Sequence, residues 1–399
     1  MNDPTIVERR TTRLAAAFAC AVFAAAVAPA VAQESAPASR AASRPRDLAA
    51  LKRDAARKLA ELRGPDDDPA FPGGSLGVAF DDGASFGVAV GWNDRERRTP
   101  LLPEARLHAG SVGKTFVAAV ALGLVGEGRL GLDDPVRKHL GAEPWYAGLP
   151  NGATLTVRSL MNHTSGLVRY EFLPEFDAAV AAAPDRVWKP EEQIRLVCGK
   201  EPPFAVGAGW EYSDTNYLAL GLVVEQVAGA PLFDEIDRRF LRPLGLAGVV
   251  PARGRKLPGL AQGYPGRFAL FGSGGTVLDA EGRFPFDPSF EWAGGGFIAT
   301  PESLARWGAA AWSGRGCPAA LLPQALDGVP ARGLGRGARY GLGVILRATA
   351  AGPARGHAGF FPGYLTELYE YPERGATLCL MLNTSDPRQG VRPAALIDE

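Results

Sequence analysis

The sequence predicts an α+β fold: an antiparallel β-sheet built from both ends of the chain, flanked by helices and interrupted by a large helical insertion. Two observations predict it. Runs with the apolar alternation of strands occur near the N-terminal end, up to Asp94, and again from Tyr340 onward. Between them the middle third shows helical spacing broken by Pro- and Gly-rich loops. Strands at both ends with helices between them are satisfied by one shared sheet whose faces the helices cover.

The elements follow in order. A basic segment, "ERRTTR", an apolar run, "LAAAFACAVFAAAVAPAV", and the small residues Ala30 to Ala32 form the three parts of a secretory signal over 1–32. The Ala-, Ser-, Pro- and Arg-rich stretch over 33–47 reads as a flexible linker. The domain proper is expected over 48–399, with an α/β part at 48–134 and 289–399 and the insertion at 135–288. "LAALKRDAARKLAELR" has helical spacing and neither Gly nor Pro, which predicts a helix over Leu48 to Arg63. Two alternating runs around Asp81, Asp82 and Gly83 predict a hairpin. "GKTFVAAVALGLVGEGRL" is apolar on all sides and stops near Gly126 to Gly128, the signature of a buried helix. In the last third, "YGLGVILRA", "GYLTELYEYPE" and "ATLCLMLNTS" predict a three-strand antiparallel run, with Arg374 and Gly375 turning between the last two.

Composition narrows the function. The chain has 399 residues, 43 Lys plus Arg against 43 Asp plus Glu, and no polybasic run, so a nucleic-acid partner is not expected. No segment after the signal reads as a membrane span. His108, His139, His163 and His357 are too scattered for a ligand pattern, and neither metal nor cofactor is expected. Cys198, Cys317 and Cys379 remain after signal removal; they allow one disulfide or three buried thiols.

The chemistry is carried by "HAGSVGKTF". Its "GKT" suggests a phosphate-binding loop, but that loop needs a Gly where His108 stands, to make the tight turn around the phosphates. The alternative is Ser111 followed three places later by Lys114 at the start of a helix. At about 100° and 1.5 Å per residue, Lys114 returns to the face of Ser111 one turn on. A positive helix terminus in a desolvated pocket would lower the amine's pKa and make it a base, and would offer the Ser111 N–H to an oxyanion. A Ser-His-Asp hydrolase would need Gly-x-Ser-x-Gly, and Ala109 replaces its first Gly.

Four further stretches agree with the Ser-x-x-Lys reading: "EYSDTNY", "GHAGFFPGY", "LMNHTSGL" and "EWAGGGFIATPESLARW". With them the chain resembles the serine β-lactamase-related family, which includes class C β-lactamases, D-alanyl-D-alanine carboxypeptidases, D-amino-acid peptidases and related esterases. The resemblance covers roughly Gly73 to Ser385. It implies a penicillin-binding/β-lactamase-like fold, Ser111 as acylated nucleophile, Lys114 as its proton partner and Tyr212 as proton shuttle. It also implies that His357 begins the motif where many members carry Lys-Thr-Gly, with Gly359 on the strand edge. The oxyanion hole would be the N–H groups of Ser111 and Phe360. His163 reads as a structural hydrogen-bonder, and the glycines at 294–296 as a place of close backbone approach.

Two departures bear on the substrate. Asp214 stands where the family often has Asn; a carboxylate can only accept, and it favours a charged Lys114. His357 in place of Lys weakens the positive charge that would hold a substrate carboxylate. Both disfavour efficient β-lactam hydrolysis and leave ester hydrolysis, which needs less leaving-group protonation, comparatively untouched. Small esters or D-amino-acid amide and peptide bonds are the expected substrates, with a class C-like β-lactamase as the alternative. The rival from another class is a binding protein for cell-wall peptides or β-lactams that acylates slowly and stops.

Overall fold

A computed structural model of the chain describes residues 46–266 and 275–387. The signal predicted over 1–32 and all but the last two residues of the predicted linker lie outside the described residues. Those last two are already part of the folded unit. Arg46 pairs with Asp82 and stacks over the Phe80 ring at 4.5 Å, and Asp47 caps the first helix by accepting from the Ala50 N–H at 2.9 Å. That helix, α1, runs over Leu48–Arg63, as its spacing predicts, and stops at Gly64, φ 78°.

The predicted hairpin is β1 (Gly73–Phe80) and β2 (Ser85–Asp94), turning through Gly83 at φ 90°. The other edge of β1 pairs with β12 (Ala376–Leu382), from Gly74 opposite Leu382 to Phe80 opposite Ala376. This one pairing joins the chain ends into a single sheet. Its nine strands run in the order β3-β2-β1-β12-β11-β10-β9-β8-β7, with β3 at Thr99–Pro100, β7 at Val329–Pro330, β8 at Arg339–Tyr340, β9 at Ile345–Thr349, β10 at Gly352–Phe361 and β11 at Tyr364–Tyr371.

The C-terminal run therefore holds four long antiparallel strands where three were expected. The added one, β10, reads "GPARGHAGFF", with Gly, Pro and Arg in place of the usual strand formers. It is extended because β9 pairs with its first half and β11 with its second, so tertiary pairing overrides local propensity. His357, Ala358 and Gly359 consequently lie in the second half of a strand.

Every residue of β11 is buried, and its side chains divide by parity. Tyr364 and Leu368 enter the larger core, beneath the helices, whereas Leu365, Tyr369 and Tyr371 enter a smaller one with Leu59 of α1. The sheet is thus covered on both faces. On the larger-core side lie α2 (Lys114–Gly126), α3 (Asp214–Ala228) and α4 (Pro301–Ala311). Phe116 of α2 stacks on Trp307 of α4 at 4.1 Å, and the Trp307 indole N–H donates to Thr115 Oγ1 at 2.7 Å.

Over 135–288 the described elements are α3, several shorter helices and one short strand, β5 (Val250–Pro251). That strand pairs with β6 (Phe297–Ala299), which pairs in turn with β4 (Leu107–His108). No single described helix is long and apolar enough to cross a membrane. Cys198, Cys317 and Cys379 are all free thiols.

Candidate active site

Strand β4 delivers the chain into a 3-10 turn, Gly110–Gly113, which runs directly into α2. The turn is held from both sides by close backbone contact. Gly110 has φ 52°, and a β-carbon on it would come within 2.7 Å of Phe360 N and O. On Gly359 a β-carbon would sit 2.0 Å from Ala109 O, and on Gly295 it would sit 2.5 Å from Gly110 O. Strand β10 and the glycines at 294–296 can therefore pass this close only without side chains, as expected for the latter. His108 adds a brace: its Nδ1 accepts from the Gly110 N–H at 3.1 Å while its ring stacks on Phe361 at 3.8 Å.

The predicted pairing of Ser111 and Lys114 is present, with Lys114 Nζ 3.0 Å from Ser111 Oγ. Lys114 is fully buried. Its three donors meet Ser111 Oγ, the Gly294 carbonyl and the Asp214 carboxylate, the acceptor set of a charged ammonium. Burial pulls the amine's pKa down, but the opposing negative charge of Asp214 outweighs it and holds the pKa above the usual lysine range. The helix terminus therefore does not lower this lysine's pKa as the local sequence suggests. The carboxylate at position 214 decides the matter, in the direction its charge requires.

Tyr212 precedes α3, and its ring lies 5.0 Å from Lys114 Nζ. Its hydroxyl is buried with no hydrogen bond of good geometry. Burial, opposed by Lys114 and reinforced by Asp214, pushes the phenol up to about 12, so it is protonated at neutral pH. The loop carrying it is fixed by His163, whose Nδ1 accepts from the Ser213 N–H at 3.3 Å and meets the Asn216 amide at 3.0 Å. Ser165 Oγ in turn donates to Asn216 Oδ1 at 2.5 Å. "NHTSGL" thus acts through structural hydrogen bonds, as its sequence reading holds. Its histidine is neutral, pushed well down by burial and then by the Lys114 charge.

His357 is also buried and neutral. Its Nδ1 lies 2.6 Å from the Ala358 carbonyl, which can only accept, so Nδ1 carries the proton. Nε2 then accepts from the Tyr340 hydroxyl at 2.8 Å. Burial, with Lys114 nearby, pushes the ring down to about 3. Position 357 supplies no positive charge at all.

Three charged residues that sequence reasoning missed complete the surroundings. Glu291 lies beside Asp214: a β-carbon on Gly294 would be 3.6 Å from Glu291 Oε2 and 3.7 Å from Asp214 Cγ. Burial and then the Asp214 charge push Glu291 up to about 8, against the pull of Lys114. Arg169 donates from Nε to Glu171 Oε1 at 2.7 Å, with its guanidinium 4.1 Å from the Phe172 ring and 5.6 Å from that of Tyr212. The available signal was charge inside apolar context, in "GLVRYEFL" and directly before "WAGGG". Tyr340 gave no local signal. Among the described residues no group of His, Cys, Asp and Glu could hold a metal ion.

A serine hydroxyl, an amine one turn on and a phenol beside both, on a two-sided antiparallel sheet, form an arrangement capable of acyl transfer. A family model described as Beta-lactamase matches residues 53–399, and the chain belongs to that family. It is 27% identical to a D-aminopeptidase of Brucella anthropi over 78% of this chain and 56% of that protein. To esterase EstB of Burkholderia gladioli it is 32% identical over 46% of this chain and 45% of that one. The chain therefore spans about half the length of these curated relatives. Among solved structures, a D-stereospecific amidohydrolase from Streptomyces sp. superposes with a TM-score of 0.72 at 25% identity, covering 85% of this chain and 97% of that one. A penicillin-binding protein from Bacillus halodurans shares the fold, with a TM-score of 0.65 at 20% identity over 81% of this chain and 94% of that one.

Proposed function

We propose that the protein is a serine hydrolase that forms an acyl-enzyme on Ser111, acting on small esters or on D-amino-acid amide or peptide bonds. The contact between Lys114 Nζ and Ser111 Oγ at 3.0 Å carries this reading. In its free-amine form Lys114 takes the serine proton as Ser111 attacks the carbonyl carbon. The N–H groups of Ser111 and Phe360 receive the developing oxyanion, and the protonated Tyr212 gives its proton to the leaving group. Asp214 keeps the free amine scarce, which favours activated esters over amides. The names of the Brucella and Streptomyces relatives support the D-amino-acid side of the reading, and that of the Burkholderia relative the ester side. The N-terminal sequence supports export to the periplasm or medium.

The Lys114–Asp214 ion pair also favours a second reading, a protein that is acylated by penicillin or a cell-wall peptide and turns over slowly. One assay separates the two. 4-Nitrophenyl esters should be released continuously by the wild type and not by Ser111→Ala, with a serine-reactive phosphonate mapping to Ser111. A stoichiometric burst followed by silence selects the second reading. Labelling of a different serine overturns both.

A further inference from the structure

We propose that Arg169 is the carboxylate-binding residue of this site, so that the preferred substrates carry a carboxylate close to the scissile bond. The assignment rests on the serine-hydrolase reading for its substrate, but on separate residues for its contact.

The cations that could hold an anion beside Ser111 are few. His357 is neutral, and its Nε2 is taken by Tyr340. Lys114 spends its three donors on Ser111, Gly294 and Asp214. His163 is neutral, with Nδ1 committed to the loop before α3. Arg169 alone of these groups keeps donors to spare. Of its five N–H groups, one, on Nε, reaches Glu171 Oε1; Nη1 and Nη2 have no hydrogen-bond partner among the described residues.

The guanidinium is also held ready for a ligand. Its central carbon lies over the Phe172 ring at 4.1 Å and 5.6 Å from the Tyr212 ring centre, and Nε is pinned at 2.7 Å. Little rotamer freedom remains to be lost on binding, and the unused Nη edge is the one that grips a carboxylate in a fork. The side chain is 19% exposed, and the ring of Phe172 is half open to solvent, so the edge can be approached from outside. Glu171 only partly offsets the charge: it takes one donor, and burial followed by the Asp214 charge pushes its carboxyl pKa up. The contact to Tyr212 ties the anion subsite to the proton donor for the leaving group.

The test uses three esters: 4-nitrophenyl acetate, 4-nitrophenyl hydrogen succinate with its carboxylate on the acyl side, and 3-carboxy-4-nitrophenyl acetate with it on the leaving side. In Arg169→Gln, at least one carboxylated ester should lose at least tenfold more in kcat/KM than the neutral ester does, with the extra loss lying mainly in KM. Arg169→Lys should recover part of the loss, since the charge returns without the fork. Equal losses on all three esters, or none, overturn the assignment. Calorimetry reads the contact without turnover: 4-nitrophenyl hydrogen succinate should bind Ser111→Ala at least tenfold more tightly than Ser111→Ala/Arg169→Gln. That difference, in a protein that hydrolyses none of the esters, would sink the hydrolase reading and keep this one. Equal or undetectable binding in both variants, with no Arg169-dependent loss on the esters, overturns it.

Discussion

The hydroxyl of Tyr340 donates to Nε2 of His357 over 2.8 Å, joining β8 to the strand that closes the site. The bond fixes the imidazole as a neutral acceptor and takes its one free nitrogen away from substrate. Tyr340→Phe should leave that nitrogen buried and unpaired, lowering stability by about 1–2 kcal/mol in urea denaturation. His357→Lys should fold poorly, because an ammonium there would be buried beside Lys114 with no counter-ion nearby except Asp214, which Lys114 already occupies. A well-folded His357→Lys protein that gains affinity for carboxylated esters would contradict this account and restore the expectation drawn from the motif alone.

Asp214→Asn tests what holds Lys114 charged. Without the carboxylate, burial dominates and the amine's pKa falls. The rising limb of the pH–rate profile should therefore move to lower pH, and amide hydrolysis should gain relative to ester hydrolysis. The variant should also lose stability, since a buried ion pair is broken. If ester and amide rates drop together with no movement of the limb, Asp214 itself takes part in the proton transfer.

Glu291→Gln has a pH-dependent signature. The folded-state pKa of Glu291 is raised to about 8 from the 4.5 of an ordinary glutamate, so the native protein binds this proton more tightly than the unfolded chain. Glu291 therefore costs stability increasingly as pH rises from about 4.5 to about 8. Asp214, Lys114 and Glu171 are the charges that face it, and Glu171, also raised, contributes in the same direction. The advantage of the Gln variant over wild type should grow by more than about 1 kcal/mol between pH 5 and pH 8.5. A constant difference across that range would place the Glu291 pKa in the normal range.

Gly359→Ala should separate positioning from folding. A β-carbon there would lie 2.0 Å from Ala109 O, so β10 and the nucleophile's turn must move apart. A displacement approaching 1 Å costs on the order of a hundredfold in turnover. Gly83→Ala, strained at φ 90° in the β1–β2 turn with nothing within 4 Å, should cost stability and spare the rate. Equal activity in the two variants would show that the contact does not set the geometry of Ser111.

Much of this protein was legible in its sequence because the governing interactions are local. The spacing of Ser111 and Lys114 is a property of one helical turn, so their 3.0 Å contact follows from the chain itself. The same holds for α1, the hairpin at Gly83 and the all-apolar α2, whose patterns report which faces are buried. The charge states were decided by tertiary structure. Whether Lys114 is an amine or an ammonium depends on Asp214, a hundred positions away; whether His357 is a cation depends on burial beneath the sheet and on Tyr340 from another strand. Strand β10 is extended only because its neighbours pair with it, and Arg169 keeps its Nη donors unused only because Glu171 and two rings hold it. Periodicity records which side of an element faces the core. Desolvation and charge–charge energies depend on what lies across the cavity, and only the folded chain determines that.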